Sequence, residues 1–275
     1  MSADYLVSVL LPTRGRPELM LKAVSSIIAT ATNPERVQIL LKIDNDDINT
    51  YQKAYAELEL ITSHYKVIYS PRGLGYADLH THVNDLCAIA DGEYLFLWND
   101  DALLLTSEWD EILEEHRAGL HGNPRAVIQI DCKTLLTENL RSFNSEVFQA
   151  RTEYVDIPGG PKDGWKFGFP LVHRDIYNAM GHFSLNAHND TWMHYVAEDA
   201  GVERMEWRIV AEHNRYDLTL DPLMNDETYQ DIWKVGGDGI TDGYAETHTL
   251  FITPKETELR RQDSIKVKKL IDRVW

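Results

Sequence analysis

The feature that most constrains this chain is an alternation, repeated over its first hundred residues, between short apolar, β-branched runs and segments with apolar residues at helical spacing. Tyr5 to Leu11 (YLVSVLL) reads as a buried strand ended by Pro12. Pro17 sits where a first helical turn tolerates proline, and Leu19, Met20, Ala23, Val24 and Ile27 then recur on one face. Val37 to Ile43 is a second strand that closes in the acidic turn Asp44-Asn45-Asp46-Asp47. A helix over Thr50 to Ile61 and a strand over Tyr65 to Tyr69 follow. After the loop Pro71-Arg72-Gly73-Leu74-Gly75, the residues Leu79, Val83, Leu86 and Ala90 mark another helix, and Glu93 to Trp98 (EYLFLW) is a strong central strand. This alternation predicts right-handed βαβ units and a mostly parallel sheet. Ligands bind such sheets beyond the carboxyl ends of the strands, so the polar loops there are the places to look.

The second half is less regular. Glu108 to Gly119 reads as a helix, Ala126 to Asp131 as a strand, and Ile157 to Pro170 as a Gly/Pro-rich loop or lid. Asp190 to Ala200 is helical, Glu206 to Ala211 strand-like, and the tail from Pro254 a helix with an apolar stripe of Val267, Leu270, Ile271 and Val274.

Charge narrows the partners. With 27 Lys+Arg against 44 Asp+Glu, the formal charge of −17 argues against a nucleic-acid binder and against adhesion to anionic lipid. A nucleotide ligand stays open, because a divalent cation can bridge carboxylate and phosphate. The only cysteines are Cys87 and Cys132, so a reducing, cytoplasmic setting is expected. The first residues read as a strand rather than a signal peptide, and no apolar run approaches the roughly 18 residues of a transmembrane segment.

The central strand ends in Trp98-Asn99-Asp100-Asp101. Carboxylates in such a turn can hold Mg²⁺ or Mn²⁺, whose hard character suits oxygen ligands. A solvated acidic turn capping the next helix is the plainer reading of the tetrad alone. The surrounding segments resemble, in order, the family 2 glycosyltransferases of the GT-A fold. Val7 to Ile28 is similar to that family's opening strand, Pro-Thr loop and first helix. Ile39 to Asp47 is similar to its second strand and the acidic turn that contacts base and ribose. Arg72 to Asp101 resembles its glycine-containing loop, a helix bearing an Asn (here Asn84), Gly-Glu-Tyr, a hydrophobic strand and a metal-binding Asp-x-Asp. The likeness is firm over about the first 110 residues and looser to about residue 230.

The resemblance implies an α/β GT-A domain over 1–230, with a nucleotide-binding half, 1–110, an acceptor-binding half, 111–230, and a C-terminal loop and helix over 231–275. It implies inverting transfer of a sugar from a nucleoside-diphosphate donor, UDP favoured, to an acceptor hydroxyl, with Mn²⁺ or Mg²⁺ as cofactor. Asn99 stands at the first position of Asp-x-Asp, which leaves Asp101 as the matching metal carboxylate. Asp100 points toward the ribose or away from the metal. Asp190, after Met180-Gly181-His182-Phe183 and His188-Asn189, matches the catalytic base, and a helix N-cap is its alternative. His213, after a strand, matches a histidine that completes the metal site.

Pro12, Thr13 and Arg14 end the first strand and can face the base and a phosphate. Asp44 and Asp46 can accept from the base or ribose, and Arg72, with Gly75 in the same loop, can reach the diphosphate bidentately. Arg16 reads more as a surface arginine. Trp165, Phe167 and Phe169 could stack on an acceptor sugar or anchor the loop. His80 and His82 look like a metal pair, but two positions apart on a helix they face different ways, and exposure is the expectation. The rival functions are a nucleotidyltransferase on a related sheet and a non-catalytic nucleotide- or sugar-binding relative.

Overall fold

The computed structural model describes residues 5–134, 168–213 and 253–272. Its centre is an eight-stranded sheet in the order β3-β2-β1-β4-β7-β6-β8-β5. The strands are β1 (Tyr5–Thr13), β2 (Val37–Asp44), β3 (Tyr65–Ser70), β4 (Gly92–Leu97), β5 (Ala102–Leu104), β6 (Val127–Thr134), β7 (Leu171–His173) and β8 (Glu203–His213). Only β7 and β5 run against the other described strands. The helices are α1 (Pro17–Thr30), α2 (Ile48–Ile61), α3 (Leu79–Ile89), α4 (Trp109–Arg117), α5 (Arg174–Met180), α6 (Asn189–Ala200) and α7 (Pro254–Asp272). No described helix is long and apolar enough to cross a membrane.

The apolar runs are continuous because both sheet faces are covered. On β4, Tyr94 and Phe96 join the core beneath α1, α2 and α4, while Leu95 and Leu97 join the core beneath α3, α5 and α6. On β2, Ile39, Leu41 and Ile43 take the first side and Leu40 the second. The C-terminal α7 docks on the second core through Val267, with Leu270 and Ile271 packed alongside; Val274 lies outside the described residues.

Three features depart from the expectations. Pro12 does not end β1, which continues to Thr13 paired with β2. The Leu10 carbonyl accepts the Trp98 N–H, so Pro12, two residues on, turns its missing N–H toward the same side, beyond the end of the β1–β4 ladder. The three-residue strands β5 and β7 are too short for any periodic signal, yet β7 joins the two halves of the sheet by pairing with both β4 and β6. Finally, α6 begins at Asn189 with His188 as its N-cap, so Asp190 lies inside the first turn rather than capping it.

The β1–β4 pairing tolerates nothing larger than hydrogen at Gly92. A Cβ there would lie 2.4 Å from the Ser8 backbone nitrogen. Gly92→Ala is therefore expected to lower stability by about 1–3 kcal/mol, the usual penalty of overpacking. Chemical denaturation checks this through a lower midpoint at unchanged slope.

Candidate functional site at the carboxyl edge of the sheet

Because β2, β1 and β4 are parallel neighbours, their C-terminal loops meet on one edge. β1 delivers Thr13 and the loop Arg14-Gly15-Arg16, β2 delivers Asp44, Asp46 and Asp47, and β4 delivers Asn99, Asp100 and Asp101. The two adjacent aspartates after β4 face different partners. Asp100, 3% exposed, accepts from the Thr13 hydroxyl at 2.7 Å and pairs with the Arg16 guanidinium at 3.0 Å. Asp101 instead pairs through Oδ1 with His213 Nε2 at 3.2 Å. The β5–β8 ladder, with Ala102 opposite His213, makes that second contact possible. The Asn99 amide lies 3.5 Å from the same His213 nitrogen.

Arg14 bridges β1 to β2. It donates to Asp44 at 2.8 Å and to both oxygens of Asp46, at 2.6 and 3.0 Å. Hydrogen bonds from Arg14 hold the Asp46 carboxyl below its usual range, and the positive charge of Arg72 adds to the effect. Arg72 opens the tight turn in which Gly75 N–H donates to its carbonyl at 3.1 Å, with Gly75 at φ +63°. A short 3₁₀ turn, Gly75–Asp78, leads from there into α3.

Asp190 comes from the second half of the chain, in the first turn of α6. Its Oδ1 accepts the Thr191 N–H at 2.7 Å and the Thr191 hydroxyl at 3.3 Å. Asn84 ties α3 to the segment before α6: its carbonyl oxygen accepts the Phe183 N–H at 2.6 Å and its amide donates to the Ser184 carbonyl at 2.9 Å. Tyr76, one residue past Gly75, meets His188 edge to face with centroids 6.4 Å apart. The glycine loop and the start of α6 are thus neighbours.

Several contacts at this edge were not read from the sequence. Tyr51, buried on α2, hydrogen-bonds Thr13 at 2.7 Å and accepts the Arg16 N–H at 3.3 Å, completing a chain from α2 through Thr13 to Asp100. Arg16, read as a surface residue, is largely enclosed and neutralises Asp100. Lys42, 1% exposed, donates to Asp44 and lies 3.2 Å from His82. A lysine inside an apolar strand two residues before an acidic turn was the available signal. His82 is accordingly buried rather than solvent-facing, because α3 turns that side onto β2. Burial and the Lys42 ammonium push its imidazole below the usual range, so it is neutral and accepts from Lys42. Phe169 is a floor residue: buried between Trp98 at 4.6 Å and His213 at 5.2 Å between ring centroids, it has no free face for a sugar. Trp165 and Phe167 lie outside the described residues.

No protein-family model and no curated protein matches the chain. Solved structures do. A structure of S. aureus TarS 1-349 aligns over 97% of this chain and 81% of that one, at 13% identity and a TM-score of 0.51. A second, of S. aureus TarS 1-349 in complex with UDP, aligns over 100% and 92%, at 12% identity and the same TM-score. The shared fold is GT-A. TarS is a glycosyltransferase, and the likeness to it reaches the architecture rather than a family.

His213 carries the sharpest electrostatic consequence. Burial alone would lower its pKa, but the facing Asp101 carboxylate overcomes this and raises it to about 10 from 6.5. A histidine raised in the folded state contributes stability that is full below pH 6.5 and is lost as pH climbs toward 10. With divalent cations chelated, unfolding free energy should therefore fall over that window, and His213→Asn should flatten the fall. A parent profile already flat between those limits contradicts the Asp101–His213 pairing.

Proposed function

We propose that the chain is a glycosyltransferase that moves a sugar from a nucleoside-diphosphate donor, UDP favoured, to an acceptor hydroxyl with inversion. The observation that carries this reading is the division of the β4 turn: Asp100 is committed to β1, whereas Asp101 faces His213 with the Asn99 amide beside it. The shared fold of a TarS structure that contains UDP supports the choice of donor.

Asp44 and Asp46 would take the base and ribose, with Lys42 and Arg14 fixing their carboxylates. Pro12 and Thr13 line the strand end beneath the nucleotide, and Arg14, Arg72 and the Gly75 turn lie on the diphosphate side. Asp101 and His213, with the Asn99 amide group beside them, would form a mixed oxygen and imidazole set that suits Mn²⁺ better than Mg²⁺, the cation displacing the His213 proton. When bound there, such a cation supplies charge neutralisation for the diphosphate. Asp190 takes the proton of the acceptor hydroxyl as that oxygen attacks the anomeric carbon, while the bond from that carbon to the diphosphate oxygen breaks.

The nucleotidyltransferase alternative needs a glycine-rich loop presenting free amides to phosphate. Here the β1–α1 loop is three residues long and Gly15 N–H already donates to Asp47 at 2.6 Å. The neighbouring amide Asn189 gives little support to a purely binding role. It is 2% exposed and hydrogen-bonded to Ser184 and the Ala187 carbonyl, so it serves the loop's packing.

Product analysis with candidate UDP-sugars tests the assignment. Asp190→Asn should cut transfer by about 10²–10⁴-fold, the usual contribution of a general base, while leaving donor binding in place. Asp101→Ala should weaken donor binding and turnover together. Turnover equal to the parent in both variants would reject the assignment.

A further inference from the structure

A second cluster of metal-ligating side chains lies toward the opposite end of β8, seven residues before His213. At the strand rise that is roughly 20 Å away along the strand. Gly119, at φ +75°, ends α4 and folds the chain back, so that His121 packs on His116 with ring centroids 4.5 Å apart. Glu206 meets them from β8, where that strand slips register against β6. One nitrogen of each histidine and one Glu206 oxygen all lie within 4.8 Å of one another. Glu115 adds a carboxylate oxygen 3.0 Å from His121 Nε2.

The cluster already gathers around a positive group. Arg208 Nη2 is 2.7 Å from a Glu206 oxygen, 2.7 Å from a Glu115 oxygen and 3.3 Å from His121 Nε2. The Arg208 side chain is 47% exposed, so it can swing out without opening the core. His116 and Glu206, by contrast, are buried and 3.0 Å apart, which fixes two ligands on separate elements.

We infer that His116, His121 and Glu206, with Glu115 as fourth ligand, form a zinc site that clips α4 to β8, with Arg208 holding the position in the metal-free protein. Two imidazoles and two carboxylates are a competent donor set for Zn²⁺ in four-coordinate geometry, and harder cations such as Mg²⁺ disfavour the imidazoles. The protonation states agree. Burial lowers the His116 pKa further than Glu206 raises it, so the imidazole is neutral. Hydrogen bonds from Arg208 and His116 outweigh burial at Glu206 and hold its carboxyl at about 2, so it is ionised at neutral pH. Binding requires that Arg208 swing out and that the His116 proton, held on Nε2 toward Glu206, move to Nδ1.

Competition with a chromophoric chelator for Zn²⁺ tests this on the full chain. The parent should bind a zinc, besides any held at the Asp101–His213 edge, that His121→Ala weakens at least tenfold and Arg208→Ala tightens several-fold. His121 is exposed, so its replacement leaves the core intact. His213→Ala should leave that zinc in place, which separates this site from the nucleotide edge. Absence of bound zinc, equal affinity in the parent and His121→Ala, or loss only in His213→Ala overturns the proposal.

Discussion

The hydrogen bond from Thr13 to Asp100, across the ends of β1 and β4, is the constraint on which the candidate site depends. It is charge-assisted and buried, and such bonds contribute about 1.5–3 kcal/mol. Its larger effect is directional. With Asp100 satisfied by Thr13 and Arg16, the chain turns Asp101 the other way, toward β8 and His213. One four-residue turn thereby places one carboxylate in the scaffold and the next in the site. Tyr51 extends the scaffold to α2, and Lys42 and Arg14 do for Asp44 what Thr13 and Arg16 do for Asp100.

The strands that build this edge were legible because burial on both faces leaves long apolar runs. β1, β2, β3 and β4 fall within one or two residues of the segments read from the sequence. The elements that escaped have physical reasons. β5 and β7 have three residues each and owe their existence to partners far away in sequence. Pro12 reads as a strand end unless one knows that β4 has no further ladder bond to ask of it. Facing residues on α3 could be assigned from helical geometry, but not which face met the sheet, so His82 was placed in solvent when it lies against Lys42.

The same division runs through the candidate residues. Their positions at strand ends were readable, since a parallel sheet dictates where loops converge. Their partners were not, because these hydrogen bonds and ion pairs join residues about thirty to more than a hundred positions apart, as in Arg14–Asp44, Thr13–Asp100 and Asp101–His213. Asn84 shows the difference well: its presence on a helix was evident, whereas its work as a clamp on the Phe183–Ser184 backbone appears only in three dimensions. That clamp and the Tyr76–His188 contact link the first half of the fold to the helix that carries Asp190.

The central claim is that the Asp101 side of the β4 turn, and not the Asp100 side, meets a nucleoside diphosphate through a divalent cation. Calorimetric titration of UDP into the protein, with and without saturating Mn²⁺, tests it most directly. The account predicts that Mn²⁺ tightens UDP binding at least tenfold in the parent and that Asp101→Asn abolishes this enhancement while the variant still folds. Equal UDP affinity with and without the cation, or an enhancement that survives in Asp101→Asn, would contradict it.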